Sequence, residues 1–314
     1  MTSKKTHSHF LCFALIFVLG FSASLASARS LPEPSISERF EQWLAQYGRL
    51  YKDTAEKENR FQNFQENVKY FESHNANTGK KYKLGINAFT DLTKEEFKAM
   101  RNGYKPRSSR NLFSSSKSSS FKYENASLAA VPPQWIGKRK EPSLLGVLCS
   151  GSHGRDYSDH YGEINLNSEQ ELVDCDTSGM DQGCEGGLMD DAFEFIISNK
   201  GLTTESNYPY EGINGSCNSV KESNHAAWIT GYEEVPSNSE AALLKAVAQQ
   251  PVSVAIDAGE SDFQHYSSGV FTGQWGTELD HGVTAIGYGT PSDGTKYWLV
   301  KNTWGTIVGA WRVT

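Results

Sequence analysis

The sequence predicts an α+β fold in which helices come first and an antiparallel, barrel-like half comes last. Two observations carry this. Residues 37–75 show helical periodicity, and short β-like runs crowd the last quarter of the chain. Between the two regions lies a serine-rich basic tract, residues 105–120 (KPRSSRNLFSSSKSSS). It is too polar to bury and too low in complexity to pack, so it reads as an exposed linker. The length of 314 residues suits two domains once a leader is removed.

That leader is read from the first residues. Lys4 and Lys5 precede an apolar run, residues 10–21 (FLCFALIFVLGF), and Ala26-Ser27-Ala28 supplies a small-residue cleavage pattern. The run is too short to span a bilayer, so residues 1–28 are expected to be a cleaved export signal, with no membrane partner afterwards. The expected address is the secretory pathway, ending in a vacuole or lysosome-like compartment or outside the cell. Cys12 leaves with the signal, and Cys149, Cys175, Cys184 and Cys217 remain for disulfides or chemistry. A net charge of −7 and a pI near 5.7 argue against a nucleic-acid partner. Asn125 and Asn214 head glycosylation sequons.

In the helical region, Phe40, Trp43, Leu44 and Tyr47 share one face, with a helix start expected at Ser37 and Glu41. A second run places Arg60, Phe61, Phe64, Asn67, Val68, Phe71 and Asn75 at three- and four-residue steps. By periodicity these are two amphipathic helices and nothing more. The residue identities add to that. Glu56, Arg60, Phe64, Asn67, Phe71 and Asn75 resemble the interspersed E-R-F-N-I-N motif of papain-like cysteine protease pro-segments, with Phe71 replacing the isoleucine. Residues 85–91, GINAFTD, resemble the G-x-N-x-F-x-D motif of the same family. The resemblance implies that residues 36–97 form an inhibitory pro-segment that lays its chain through the active-site cleft, that residues 98–130 are a linker, and that residues 131–314 are the peptidase domain. It also implies a two-lobed peptidase, one lobe helical and the other a β-barrel-like half.

Downstream, QELVDC (170–175) leads into GCEGGLM (183–189) and an amphipathic helix expected over residues 190–198. By itself a Gly-Gly pair is a tight turn. By resemblance, Gly186 and Gly187 form a wall that receives substrate as an extra extended strand, which requires the absence of side chains. Strands are expected over residues 252–256, 269–272, 282–289 and 297–301. Within them, LDHGV around His281 and VKNTWG around Asn302 resemble the family's catalytic histidine and asparagine motifs. A nearby imidazolium lowers a thiol's pKa to give a standing thiolate, and the asparagine amide orients the imidazole. Leu188, Met189, Ala255 and Gly282 resemble the positions lining the family's main specificity pocket, which favours an apolar side chain. Peptides and the chain's own pro-segment are the implied partners, and no cofactor or metal is implied.

The nucleophile is the departure from the pattern. Where the family carries Q-G-x-C-G-x-C-W-A-F-S, this chain reads LLGVLCSGSHGRD at 144–156, and Cys149 is followed by Ser150. The glycines there disfavour the helix whose N-terminus lowers the thiol pKa, so Cys149 is not expected to serve. Back-translated with suitable codons and read one base later, the same stretch yields Cys-Trp-Ala-Phe-Ser-Ala, the family's nucleophile helix. The preceding piece, in the other shifted frame, yields Met-Asp-Trp-Lys-Lys-Lys-Gly-Ala-Val. Residues 134–167 are therefore read as out of frame, and the chain as written is expected to be inactive. The C-terminal residues read as similarly damaged, without the family's closing strand. Trp275 stands where the family has cysteine. Cys175 and Cys217 look like an intact family disulfide pair, and Cys184 has lost its partner. The alternatives are a non-catalytic inhibitor of related cysteine proteases, acting through the undamaged pro-segment, or a pseudogene product without function.

Overall fold

A computed structural model describes residues 33–101, 103–104, 121–136, 167–302 and 311–314. The expected signal peptide, the whole serine-rich tract 105–120, and Cys149 with residues 137–166 lie outside the described residues. The chain divides into two compact units, Met1–Arg49 and Leu50–Thr314. No described helix is long and apolar enough to cross a membrane.

The first unit contributes helix α1, Ile36–Tyr47. It begins earlier than the expected start at Ser37, because Ser35 and Glu38 form a reciprocal capping box that satisfies two backbone N–H groups at once. Phe40 and Trp43 are its buried residues, with their rings stacked at 5.8 Å.

The second unit opens with helix α2, Thr54–Ala76, capped by Asp53, whose carboxylate accepts from the Glu56 N–H at 2.8 Å. Of its polar motif residues, Glu56 accepts from the preceding Lys52 N–H at 3.0 Å, while Arg60, Asn67 and Asn75 reach into the segment that follows. Arg60 binds Glu96 at 2.7 Å and the Asp91 carbonyl at 3.3 Å. Asn67 donates to the carbonyls of Thr90 (2.9 Å) and Leu92 (3.2 Å). Asn75 bonds both the N–H and the carbonyl of Leu84. The motif thus pins residues 84–96 against one helix. Strand β1, Tyr82–Leu84, and helix α3, Lys94–Arg101, complete this region. Helix α3 runs past the expected pro-segment boundary at residue 97.

The peptidase region is built as expected in outline. Strand β2 is Trp135–Ile136, and helices α4 (Glu169–Cys175), α5 (Met189–Ser198), α6 (Ser219–Glu222) and α7 (Glu240–Val247) precede strand β3 (Val252–Ile256). Helix α8 (Ser261–Gln264), then β4 (Tyr266–Gly269), β5 (His281–Gly289), β6 (Tyr297–Lys301) and β7 (Trp311–Val313) finish the chain. Strands β2, β5, β6 and β7 line up antiparallel, with β3 also on β5, while β4 pairs with β1.

Two expectations change. The run expected as a strand at 269–272 is displaced: the strand ends at Gly269, and beyond it Phe271 makes only an isolated bridge to Val313. The closing strand expected to be missing is present in short form, because Trp311 and Val313 point inward with Arg312 outward, the alternation a sheet edge over a core requires.

Among several apolar clusters in this unit, including one around Leu172 and Ile196 and one around Val247 and Tyr288, one joins the N-terminal region to the β half. Phe71, Tyr82, Leu84, Phe89, Leu92 and Phe97, from the N-terminal region, pack with Ala258, Phe263, Phe271, Val283, Val300, Trp311 and Val313. Its polar margin is concentrated on α8. Asp262 accepts from the hydroxyls of Tyr70 and Tyr82, and both phenols are pushed up, first by burial and then by that carboxylate. His265 is 1% exposed, lies 4.6 Å from the Phe71 ring, and its Nδ1 has no hydrogen-bond partner.

Burial pushes the His265 imidazole down to about 3, partly opposed by Asp262. The packed form therefore binds fewer protons than an opened one between pH ~6.5 and about 3, and packing stability falls as pH drops through that window. His265→Leu should remove a slope of up to about 1.4 kcal/mol per pH unit there, measured by urea unfolding of both chains at several pH values.

Candidate active site

His281 starts β5 and Asn302 follows the end of β6, two adjacent antiparallel strands. That adjacency brings two residues 21 positions apart into contact: His281 Nε2 lies 2.7 Å from Asn302 Oδ1. The carboxamide oxygen only accepts, so Nε2 carries the proton and Nδ1 is the nitrogen that would exchange a proton with a thiol. His281 is 0% exposed and Asn302 5%, so the pair is held out of water and its hydrogen bond is not competed away.

The neighbouring Asp280 anchors the approach. Its Oδ1 accepts from Ala258 N–H at 2.8 Å, and Lys98 of α3 stands 3.8 Å from its Oδ2. Its carbonyl accepts from the N–H of Tyr104 at 3.0 Å. Tyr104 also makes a parallel bridge with Gly187, whose N–H donates to the Gly103 carbonyl at 3.2 Å. Residues 103–104 thus lie as an extended chain between the Gly187 backbone and the Asp280–His281 step, in a slot one strand wide. Gly186 shows why that wall has no side chains. A Cβ there would sit 1.7 Å from the Gly103 carbonyl oxygen, and its φ of +97° disfavours any other residue.

The expected pocket residues fall on both sides of this slot. Ala255 and Gly282 face each other in the β3–β5 register, one step from the Ile256–His281 pair. Leu188, 4% exposed, and Met189 begin α5 directly after the glycine pair. A separate cavity of about 500 Å³, lined by Val131, Leu244, Tyr288 and Trp298, contains none of these residues; the slot itself is filled by the chain's own segment.

Cys175 and Cys217 form a disulfide. Cys184 is a free thiol, pushed up by burial and by the carboxylates of Asp174 and Glu185, which makes it a poor nucleophile at neutral pH. Its N–H is held by Asn214 Oδ1 at 2.7 Å, while Asn125 lies exposed. Among the described cysteines none stands with His281, and Cys149 is outside the described residues. The sequence reading did not single out Gly103 and Tyr104 as cleft residues. A glycine–aromatic step just after the last pro-segment helix was the available signal.

The papain family cysteine protease pattern matches residues 155–311, and the cathepsin propeptide inhibitor domain (I29) pattern matches residues 40–97. The chain is 48% identical over 314 residues to a senescence-specific cysteine protease, SAG39, of Oryza sativa subsp. japonica, covering 95% of this chain and 90% of that protein. It is 46% identical over 317 residues to the senescence-specific cysteine protease SAG12 of Arabidopsis thaliana, covering 96% and 90%. A recombinant stem bromelain precursor superposes with a TM-score of 0.72 at 37% identity, covering 89% of this chain and 92% of that one. The proform of the Amb a 11 cysteine protease, a ragweed pollen allergen, gives a TM-score of 0.71 at 30% identity, covering 90% and 89%.

Gly186→Ala should expel residues 103–104 from the slot, since the new methyl and the Gly103 carbonyl cannot coexist. Cleavage after Tyr104 by added chymotrypsin should speed by about tenfold or more, the equivalent of roughly 1.4 kcal/mol. Unchanged cleavage would show that the glycine wall does not hold this segment.

Proposed function

The chain belongs to the papain family of cysteine proteases, and from that premise we propose that it is a cysteine endopeptidase zymogen whose cleft lies between Gly186–Gly187 and His281. In this reading His281 is the acid–base group, Asn302 orients it, and Gly186, Gly187, Leu188, Met189, Ala255 and Gly282 receive the acyl side of a peptide with an apolar residue in the main pocket. The observation that carries it is the strand of the chain's own residues 103–104, hydrogen-bonded on one side to Gly187 and on the other to Asp280. A substrate strand would need the same backbone donors and acceptors.

In a working site of this kind the thiolate attacks the scissile carbonyl, forming the thioester while His281 passes its proton to the leaving amine. Water, deprotonated by the same imidazole, then releases the acid. The thiol is the part this chain does not supply in register. The family match begins at residue 155, six residues beyond Cys149 and inside the segment 134–167 that is read as out of frame. The domain limits are 1–28 signal, 36–97 pro-segment, 98–130 linker and 131–314 peptidase. The address is secretory, vacuolar or extracellular, and Asn125 and Asn214 are glycosylation sites.

A second reading is favoured by the intact hydrogen-bond set of Arg60, Asn67 and Asn75, which folds the pro-segment on its own helix. The chain would then act as an inhibitor of related proteases.

Expressed as written, the full chain should not hydrolyse a fluorogenic peptide with an apolar residue before the cleaved position. Turnover that disappears in Cys149→Ser would overturn the out-of-frame reading. Inhibition of an active papain-family enzyme, with no turnover, is the result expected of the second reading. Transcript sequencing across codons 130–170 should show Cys-Trp-Ala-Phe encoded in frame with the flanking residues if a gene-reading error produced this segment.

A further inference from the structure

The glycine wall is braced from behind by acids. Leu188 N–H, immediately after Gly187, donates to Asp181 Oδ1 at 2.7 Å. The contact is tight enough that a Cβ on Gly187 would sit 1.8 Å from the same oxygen. Asp181 is also fixed by its own backbone, with its N–H on the Ser178 carbonyl at 3.1 Å.

Behind Asp181 lies Asp176, 2% exposed, whose Oδ1 takes the Ser178 N–H and hydroxyl. The second oxygens, Oδ2 of Asp176 and Oδ2 of Asp181, are both buried without a hydrogen-bond partner, and the two residues line the same small cavity. Two ionised carboxylates cannot satisfy each other, since each only accepts, whereas a proton held between them gives both oxygens a partner. The third acid facing the pair, Asp191 at the start of α5, is 5% exposed and takes the Met180 N–H at 2.9 Å, and no described cation faces Asp181. The cavity beside them is about 20 Å³. That is room for one water and too little for a cation with six or more oxygen ligands.

We propose that Asp181 and Asp176 share a single proton and that this neutralised pair is the strut fixing Gly187 and Leu188 in register, which makes Asp181 a positioning residue for the strand in the cleft. The proposal rests on the reading of Gly186–Gly187 as the substrate wall. Burial, the Asp176 hydrogen bond and the like charges of Asp176 and Asp191 push the Asp181 carboxyl up to about 8, consistent with a retained proton.

The sign follows from the proton count. The braced wall binds one more proton than an opened one between the ordinary carboxylate range and about pH 8. Its stability is full below pH ~4, falls as pH rises and levels off above 8.

Amide hydrogen exchange at Gly187 and Leu188 in the full chain tests this without any need for turnover, so an inactive enzyme does not affect the result. With intrinsic rates divided out, protection should fall between pH 4 and 8 by up to about tenfold per unit. In Asp181→Asn, the carboxamide keeps the oxygen for Leu188 and gives an N–H to Asp176, so protection should stay high and lose the slope. Asp181→Ala should lower protection at every pH. Equal slopes in the wild type and Asp181→Asn would overturn the shared proton. Undiminished protection in Asp181→Ala would overturn the strut. If the alanine chain fails to fold, the asparagine comparison decides alone.

Discussion

The apolar core shared by the N-terminal region and the β half is what the strand in the cleft depends on. The rings of Phe71, Tyr82, Phe89 and Phe97 from the N-terminal region bury against Phe263, Phe271 and Trp311 of the β half, so neither side closes its apolar surface without the other. The polar motif residues then act on an arrangement already chosen by burial. Arg60, Asn67 and Asn75 are each aimed at backbone carbonyls or a carboxylate that would otherwise lie unsatisfied beside that core. Helix α3 follows, and its end delivers residues 103–104 into the slot at His281. Inhibition in this architecture is thus a by-product of packing, because the same burial that completes the core places the strand that fills the cleft.

The sequence made the main elements legible where periodicity and chemistry coincided. Strands β3 and β6 fall where alternating β-branched and aromatic residues put them. His281 and Asn302 stood out only because LDHGV and VKNTWG resemble family motifs, and their 2.7 Å contact follows from the strand pairing. Local pattern failed where a long-range partner decides. Residues 270–272 look as strand-like as 266–269, but the edge of β1 is available only as far as Gly269. The Trp311–Val313 strand is too short to stand out by composition, and it forms because β6 and Phe271 offer it an edge. The capping pair Ser35 and Glu38 was missed by a shift of two or three residues, since Ser37 and Glu41 offer a similar serine–glutamate pair one residue too far apart for the reciprocal cap.

The candidate site separates what a catalytic dyad needs from what a nucleophile needs. Orientation of an imidazole comes from strand geometry and burial, and both are retained here. Activation of a thiol needs a helix terminus and a partner at contact distance, which depend on a continuous run of residues in one register. A disruption of that run can therefore leave the acid–base half of a site intact while removing its nucleophilic half.

Trp275 changes how the two halves of the peptidase region are fastened. The β half lacks the cysteine that resemblance places there, and the indole instead packs at 5.3 Å from Phe263 and 5.0 Å from Phe271. The helical half keeps the Cys175–Cys217 cross-link, which ties a loop across 42 residues. One half is therefore closed by apolar contact, which is blind to the redox state of its surroundings, and the other by a bond that a thiol reductant opens. Passage from an oxidising to a reducing compartment would loosen the helical half while the β half stayed fastened.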